Sequence, residues 1–566
     1  MKILDKDADG YVLGPKSMVL IGPPGCGKTT AALNSWLLPG ISDAGPDAIL
    51  GCSFTKAAAG EMRQKLAKAS GIGYRDTRNT VRTIHSESLR LLRANGHPGV
   101  VYDEKAKKEK KTTSKIEDDD PEDYGRDAMG TPCKALRDES RRIWRIVRHK
   151  YPDDLGQPID RLISREAGRA KFSIQDMAAE VRAYEGEKRQ LGHIDFEDML
   201  ILALDVPSPD RALLVIDEAQ DLSPLQLRVT GHWAERTDRL VWIGDPDQGI
   251  YTFSGADGDF LKQKIRAGSE VRRLAQGYRC PAPVRNLARN LIVQGDDRED
   301  ADYLAAEHGG RVVFLDRPED GARLGAASDG TVFFLSRTGK GLAGYARMLA
   351  ESGVPFLQER GGSSPLRETS LANAIIALHY LLQKRDVPVE SAIHLLNLLK
   401  YRDGWYAARG DMGKAKEELK RMAKNGRKTI DYYDLSEMGL RVNKLVGGTD
   451  DVSIALDRMK LADPDGFLLR IYQRSGVSGL IERPKITLTT IHSSKGREAD
   501  TVILDRNCPF PSRKEIGSGR EGWNGELRVL YVGITRTKRD LCMIRAESEE
   551  QDMGELLGMD ESSACE

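Results

Sequence analysis

The segment GPPGCGKTT at residues 22–30 constrains this chain more than any other. It directly follows the apolar run MVLI and precedes the helical run AALNSWLL. That strand–loop–helix setting is the one in which GxxxxGK[ST] binds nucleotide phosphates. Its glycines let backbone N–H groups turn inward around the phosphates at a helix N-terminus. Gly22, Pro23, Pro24, Gly25, Cys26, Gly27, Lys28, Thr29 and Thr30 are therefore the expected cradle for ATP or GTP. Lys28 is expected to reach the β- and γ-phosphates and the Thr29 hydroxyl to ligate Mg²⁺.

Short apolar runs recur along the chain, among them Met18–Ile21, Ala48–Phe54, Leu213–Ile216, Leu240–Ile243, Val332–Leu335, Ile486–Ile491, Thr501–Leu504 and Leu541–Ile544. Helical stretches such as Ala57–Ala69 and Pro281–Val293 alternate with them. The alternation predicts an α/β fold, parallel sheets covered by helices on both faces. An early and a late group of runs imply two lobes. Two stretches of helical pattern interrupt them, one including Ser140–Lys150 and Ile174–Leu191, the other Ala372–Leu382 and Val389–Leu399. The boundaries drawn from this are 1–92 and 192–273 for lobe one around an insert at 93–191, and 274–365 and 481–566 for lobe two around an insert at 366–480. The run EKAKKEKKTTSKIEDDDPED at 104–123 reads as a solvated loop.

At 566 residues the chain is too long for a single core. No run approaches the ~18 apolar residues of a membrane span, and the first residues lack the apolar centre of a signal peptide. A cytoplasmic, nucleoid-associated protein is expected. Lysine and arginine equal aspartate and glutamate at 86 each, so net charge says nothing for or against nucleic acid. The seven cysteines form no CxxC pair, which speaks against a zinc ribbon or disulfide framework.

The partner of the nucleotide loop is LLVIDEAQD at 213–221, a buried strand ending in two carboxylates. Asp217 is expected to hold Mg²⁺, and Glu218 to orient and deprotonate the attacking water.

With DEAQD, the motifs resemble in kind and order the UvrD/Rep/PcrA branch of superfamily-one DNA helicases, from residue 21 to about residue 545. The resemblance implies two RecA-like lobes and a DNA-dependent ATPase moving 3′ to 5′ along single-stranded DNA, with ATP and Mg²⁺ as cofactors. GDPDQGIYTFSGA at 244–256 resembles the third motif, with Gln248 sensing the γ-phosphate and Tyr251 and Phe253 facing DNA. LAQGYR at 274–279 and VGITR at 532–536 resemble the fourth and sixth motifs. By that likeness Tyr278 stacks on adenine, while Arg279 and Arg536 reach from the second lobe to the γ-phosphate. Glu498, in SSKGREAD, matches the acid near the ribose.

The DNA path by the same likeness runs through SFTKAAAGEM, TIHS and TTIHSSKG. It nominates Phe54, Thr55, Thr83, His85, Thr490, His492 and Ser494, together with Tyr251 and Phe253. Small hydroxyls hold phosphates and aromatics offer π-faces to any base. GHIDFEDML at 192–200 resembles the segment that re-enters lobe one. The expected partners are single-stranded DNA, duplex junctions and accessory replication or repair proteins.

The sequence departs from the family in three places. Met1–Ile21 holds no glutamine where an adenine-reading motif is usual, Phe253-Ser-Gly-Ala replaces WRGA, and the second insert is short. The rival readings are a translocase that strips proteins without unwinding, an ATP-gated DNA clamp, and an RNA track.

Overall fold

The computed structural model describes residues 17–97, 134–168, 170–296, 298–299, 302–359, 369–399, 404, 411–447, 449–459, 461, 463 and 466–564. The charge-rich stretch at 104–123 and most of the segment upstream of the nucleotide loop lie outside them. By contacts the chain divides into two units.

In the first unit a six-stranded sheet is formed by β1 (Ser17–Ile21), β2 (Ile49–Ser53), β3 (Val81–Thr83), β4 (Arg211–Asp217), β5 (Thr237–Gly244) and β6 (Glu270–Arg273). The order is β3-β2-β4-β5-β1-β6 and every pairing is parallel. A two-residue period lets each strand feed two cores. Met18, Leu20, Leu213, Val215, Val241 and Ile243 face one cluster with Trp36, Leu37 and Met62. Val19, Ile21, Leu214, Ile216 and Trp242 face the other, with Leu91, Leu225 and Trp233. Burial on both faces explains why the strands read as continuous apolar runs.

The first insert is helical, with helices Lys134–Lys150, Ile159–Ser164 and Ile174–Leu191 around a cluster of their own that includes Ile143, Trp144, Val147, Leu162 and Met177. It is anchored where the chain returns to the sheet. Asp195 caps the helix Phe196–Leu202 in a capping box with Asp198. The Asp195 carboxylate also accepts from Arg148, Lys188 and Tyr184. The Arg148 and Lys188 cations hold the Asp195 carboxyl far below the usual carboxylate range, outweighing its burial.

The second unit has β7 (Arg311–Leu315), β8 (Val332–Ser336), β9 (Phe356–Gln358), the two-residue strands β10 (Val387–Pro388) and β11 (Thr429–Ile430), then β12 (Ile486–Thr490), β13 (Ala499–Asp505) and β14 (Thr537–Ile544). Six of these form a second all-parallel sheet in the order β7-β14-β13-β8-β12-β9, while β10 and β11 make an antiparallel ribbon. One apolar cluster runs from the sheet residues Val332, Phe334, Ile486 and Leu488 into the insert helices Thr369–Leu382, Val389–Leu398 and Phe467–Ser475. Phe356 of the sheet lies 5.6 Å, centroid to centroid, from Phe467 of the insert.

Two parallel sheets flanked by helices, the first carrying the nucleotide loop, are the two RecA-like lobes expected. By contacts the first unit takes in the residues through Arg279 and those from Ile292 to Ala306. Leu274 N–H donates to Ile21 O, and Tyr278 N–H to Gly25 O, so residues 274–279 continue along β1 and its loop. No helix of the described residues is long and apolar enough to cross a membrane.

Candidate functional site

The first unit places its polar residues at the carboxyl ends of its strands, where open parallel sheets bind ligands. The loop after β1 turns through Gly25 and Gly27, with φ of 71° and 80°, before the helix starts at Lys28. A Cβ on Gly25 would collide with the Cβ of Arg279, so only glycine lets these two backbones approach. The Lys28 ammonium donates to the carbonyls of Gly22 and Pro23, at 2.6 and 3.1 Å. Burial disfavours its charge, but Cys26, Asp245, Glu218 and Asp217 outweigh that and hold it above its ordinary value.

From β4, the Asp217 Oδ2 accepts from the Thr29 hydroxyl at 3.1 Å and its Oδ1 from the Glu218 N–H at 3.0 Å. Burial, and then the neighbouring Glu218, push the Asp217 carboxyl up to about 7. A hydroxyl and a carboxylate converging on one point, with the carboxylate penalised by burial, suit a hard divalent cation taking oxygen ligands. Glu218 stands in the left-handed region, φ 57°, which a residue with a Cβ enters only at a cost. Its carboxylate accepts from the Gln220 amide at 2.6 Å. The Gln220 amide oxygen accepts in turn from Asp245 N–H, 3.0 Å away, and Asp245 Oδ2 from Gln248 Nε2 at 2.6 Å. Asp245 is pushed up to about 6, first by burial. Asp247 in the same turn receives a two-pronged ion pair from Arg298.

Gln220, Asp245 and Arg298 were missed from sequence. The first two lie inside DEAQD and GDPDQ, but nothing in the strings says which amide touches which carboxylate. Arg298 carries no local signal at all.

Tyr278 is 68 % exposed, leaving its ring free to be stacked upon. Its neighbour Arg279 is the last residue of the first unit's main stretch by contacts. Arg536 lies in the second unit, buried, with Nε on Val532 O at 3.0 Å and Nη1 on Arg497 O at 3.4 Å. Glu498 is exposed in the loop before β13, within 3.9 Å of Lys538.

Along the expected DNA path, Phe54 and Tyr251 lie 5.6 Å apart by ring centroids, and Tyr251 and Phe253 6.1 Å. Phe253 ends this ladder, 62 % exposed. Thr55, Thr83 and Thr490 are helix N-caps, each hydroxyl accepting from an N–H three residues on. His85 packs edge-on against Phe196. Burial, then His149, lower its imidazole to about 4, so at neutral pH it carries no charge for a phosphate. His492 is half-buried in the short helix Ile491–Ser494. Ser494, expected on the same path, is fully buried, and its hydroxyl donates to Ile491 O at 2.7 Å.

Comparison with known proteins adds to this geometry. The UvrD/REP helicase N-terminal domain model matches residues 10–267, and the UvrD-like helicase C-terminal domain model residues 139–548. The chain is 26 % identical to the ATP-dependent DNA helicase UvrD2 of Mycobacterium tuberculosis over 587 residues, spanning 95 % of this chain and 78 % of that protein. The Mycobacterium bovis protein of the same name matches equally. DNA helicase II of Rickettsia typhi is 24 % identical over 446 residues, covering 63 % of this chain and 65 % of that one.

Proposed function

This chain belongs to the UvrD-like helicase family, and from that premise we propose that it is an ATP-dependent DNA helicase moving 3′ to 5′ along single-stranded DNA. The single observation that carries the reading is the polar cluster joining the nucleotide loop to the turn before the aromatic ladder. In it Thr29 meets Asp217, and Glu218 connects through Gln220 and Asp245 to Gln248. Three residues beyond Gln248 stands Tyr251, in ring contact with Phe54 and Phe253. A side-chain amide that reads phosphate and a ladder that stacks bases thus share one short segment.

Each role follows from the chemistry of the group. Residues 22–30 hold the triphosphate, and Lys28, kept charged in a buried setting, neutralises its outer phosphates. Thr29 and Asp217 are the residues that would hold Mg²⁺, which when bound screens the phosphate charge. Glu218 accepts the proton of the attacking water. Gln248 can both donate to and accept from the terminal phosphate and its water. Arg279 and Arg536 are assigned to charge developing at the γ-phosphate, a contribution worth about 10³–10⁵ in rate where such arginines act. Tyr278 presents its open ring to adenine, and Glu498 its carboxylate to the ribose. Phe54, Tyr251 and Phe253 stack bases without reading sequence, at roughly 1–3 kcal/mol per base. The three capping threonines place helix N-termini, and hence backbone N–H groups, toward phosphates.

The test is ATPase rate with and without single-stranded DNA, then unwinding of 3′-tailed and 5′-tailed duplexes. Stimulation by DNA with unwinding only of the 3′-tailed substrate is expected. Preference for the 5′ tail overturns the polarity. Streptavidin displacement without unwinding makes the enzyme a translocase that clears strands.

A further inference from the structure

Gln220 lies within DEAQD and touches GDPDQ, and neither segment's chemistry has so far given it a role of its own. It is fully buried, in the single turn Ala219–Asp221 that follows β4. Both ends of its amide are engaged. Nε2 donates to Glu218 Oε2 at 2.6 Å and Oε1 accepts from Asp245 N–H at 3.0 Å. The orientation is forced, because a backbone N–H can only donate and must face the amide oxygen. The NH₂ group is then left for a carboxylate oxygen of Glu218, a charge-assisted contact of the stronger kind. Gly244 keeps this arrangement close, since a Cβ there would collide with Gln220 Oε1. Glu218 needs such a hold, because its backbone occupies the left-handed region.

We propose that Gln220 is a positioning residue for hydrolysis: its amide fixes the Glu218 carboxylate and couples it to the Asp245–Gln248 turn. The proposal rests on the reading of Glu218 as the base. With one carboxylate oxygen held by Gln220, the Glu218 carboxylate has a fixed position from which to act on water. The Asp245–Gln248 turn leads directly to Tyr251 and Phe253, so a base stacked on the ladder shifts the frame from which Glu218 is held. Gln220 is thereby a link between DNA occupancy and turnover.

The experiment measures kcat and KM for ATP, with and without oligo(dT), in wild type, Q220M, Q220E, E218Q and the double variant E218Q/Q220M. Single-turnover rates are used for the slow ones, and thermal melting and fluorescent-ATP binding run alongside. Q220M removes both contacts at similar volume. Q220E keeps an acceptor for Asp245 N–H and sets a like-charged oxygen in place of the donor to Glu218, so it carries the test should Q220M unfold. Loss of one hydrogen bond to a charged group predicts a fall in kcat of roughly 10- to 100-fold with KM little changed. Stimulation by oligo(dT) falls with it. Because Gln220 acts through Glu218, adding Q220M to E218Q lowers the rate no further. Wild-type kcat and wild-type stimulation in Q220E and Q220M overturn the proposal, as does a full additional loss on top of E218Q. Wild-type turnover in E218Q itself instead removes the base assignment, a separate failure.

Discussion

The backbone N–H of Tyr278 donates to the carbonyl of Gly25 across 2.9 Å, binding the fourth motif to the crest of the phosphate loop. Arg279 follows directly, and its Cβ fills the place where a side chain on Gly25 would stand.

The two left-handed glycines of that loop should therefore respond differently to alanine. Gly27 has open space around a new Cβ, so G27A should cost only its backbone penalty, about 1–2 kcal/mol. G25A carries the same penalty and a collision with Arg279 besides. Thermal melting and fluorescent-ATP titration should show a larger loss of both stability and affinity for G25A. Equal behaviour of the two would remove the close approach as a determinant.

Lys28 and Glu218 separate binding from chemistry. K28A should lose nucleotide affinity, whereas E218Q should bind ATP near normally and lose about 10²–10⁴ in turnover, the usual worth of a positioned base. Equilibrium binding beside single-turnover hydrolysis distinguishes them.

Arg298 and Asp247 form a largely buried pair, with side chains 13 % and 12 % exposed. Removing one partner strands the other charge, so R298M or D247L alone should cost about 3–5 kcal/mol. The double variant should recover much of that loss in urea denaturation. Additive losses would mean that the two side chains stabilise the fold separately.

His85 sets a pH limit on the first lobe. Its folded value, about 4, lies below the ordinary 6.5, so the unfolded chain takes up the proton first. Stability is fully present above about 6.5 and declines as pH falls from there to about 4, by up to one proton's worth. His149, Glu197 and Lys56 face the ring and modulate the slope. H85Q should flatten the urea midpoint against pH in that window.

Phe253 ends the aromatic ladder and is its most exposed ring. F253A should weaken binding to oligo(dT) by roughly 1–3 kcal/mol, with little change in the salt dependence that phosphate contacts set. Fluorescence anisotropy at two salt concentrations checks both statements.

Much of this was legible in the string of residues because it is local. The phosphate loop lies between its own strand and helix, the carboxylates of β4 end an apolar run, and Ile174–Leu191 begins and ends where its periodicity says. What escaped depends on contacts between distant segments or on direction. Gln220 and Asp245 stand 25 positions apart and meet only when β4 and β5 pair. That Thr55, Thr83 and Thr490 each cap the helix that follows depends on the direction of one hydroxyl, which the string of residues does not give. Ser494 differs from half-buried His492 and Ser493 only by the face of a four-residue helix. That Leu274–Arg279 continues along β1 and its loop is likewise a matter of backbone pairing, on which a motif's family role is silent.

The two inserts differ in how they join their lobes. The first carries a cluster of its own, while the second shares one continuous apolar interior with its sheet. Force applied to the later helices therefore passes through that shared interior into the strands beneath. That makes this insert a stiff handle on its lobe rather than a swivelling attachment, and hydrogen exchange should find its helices opening only when the sheet does.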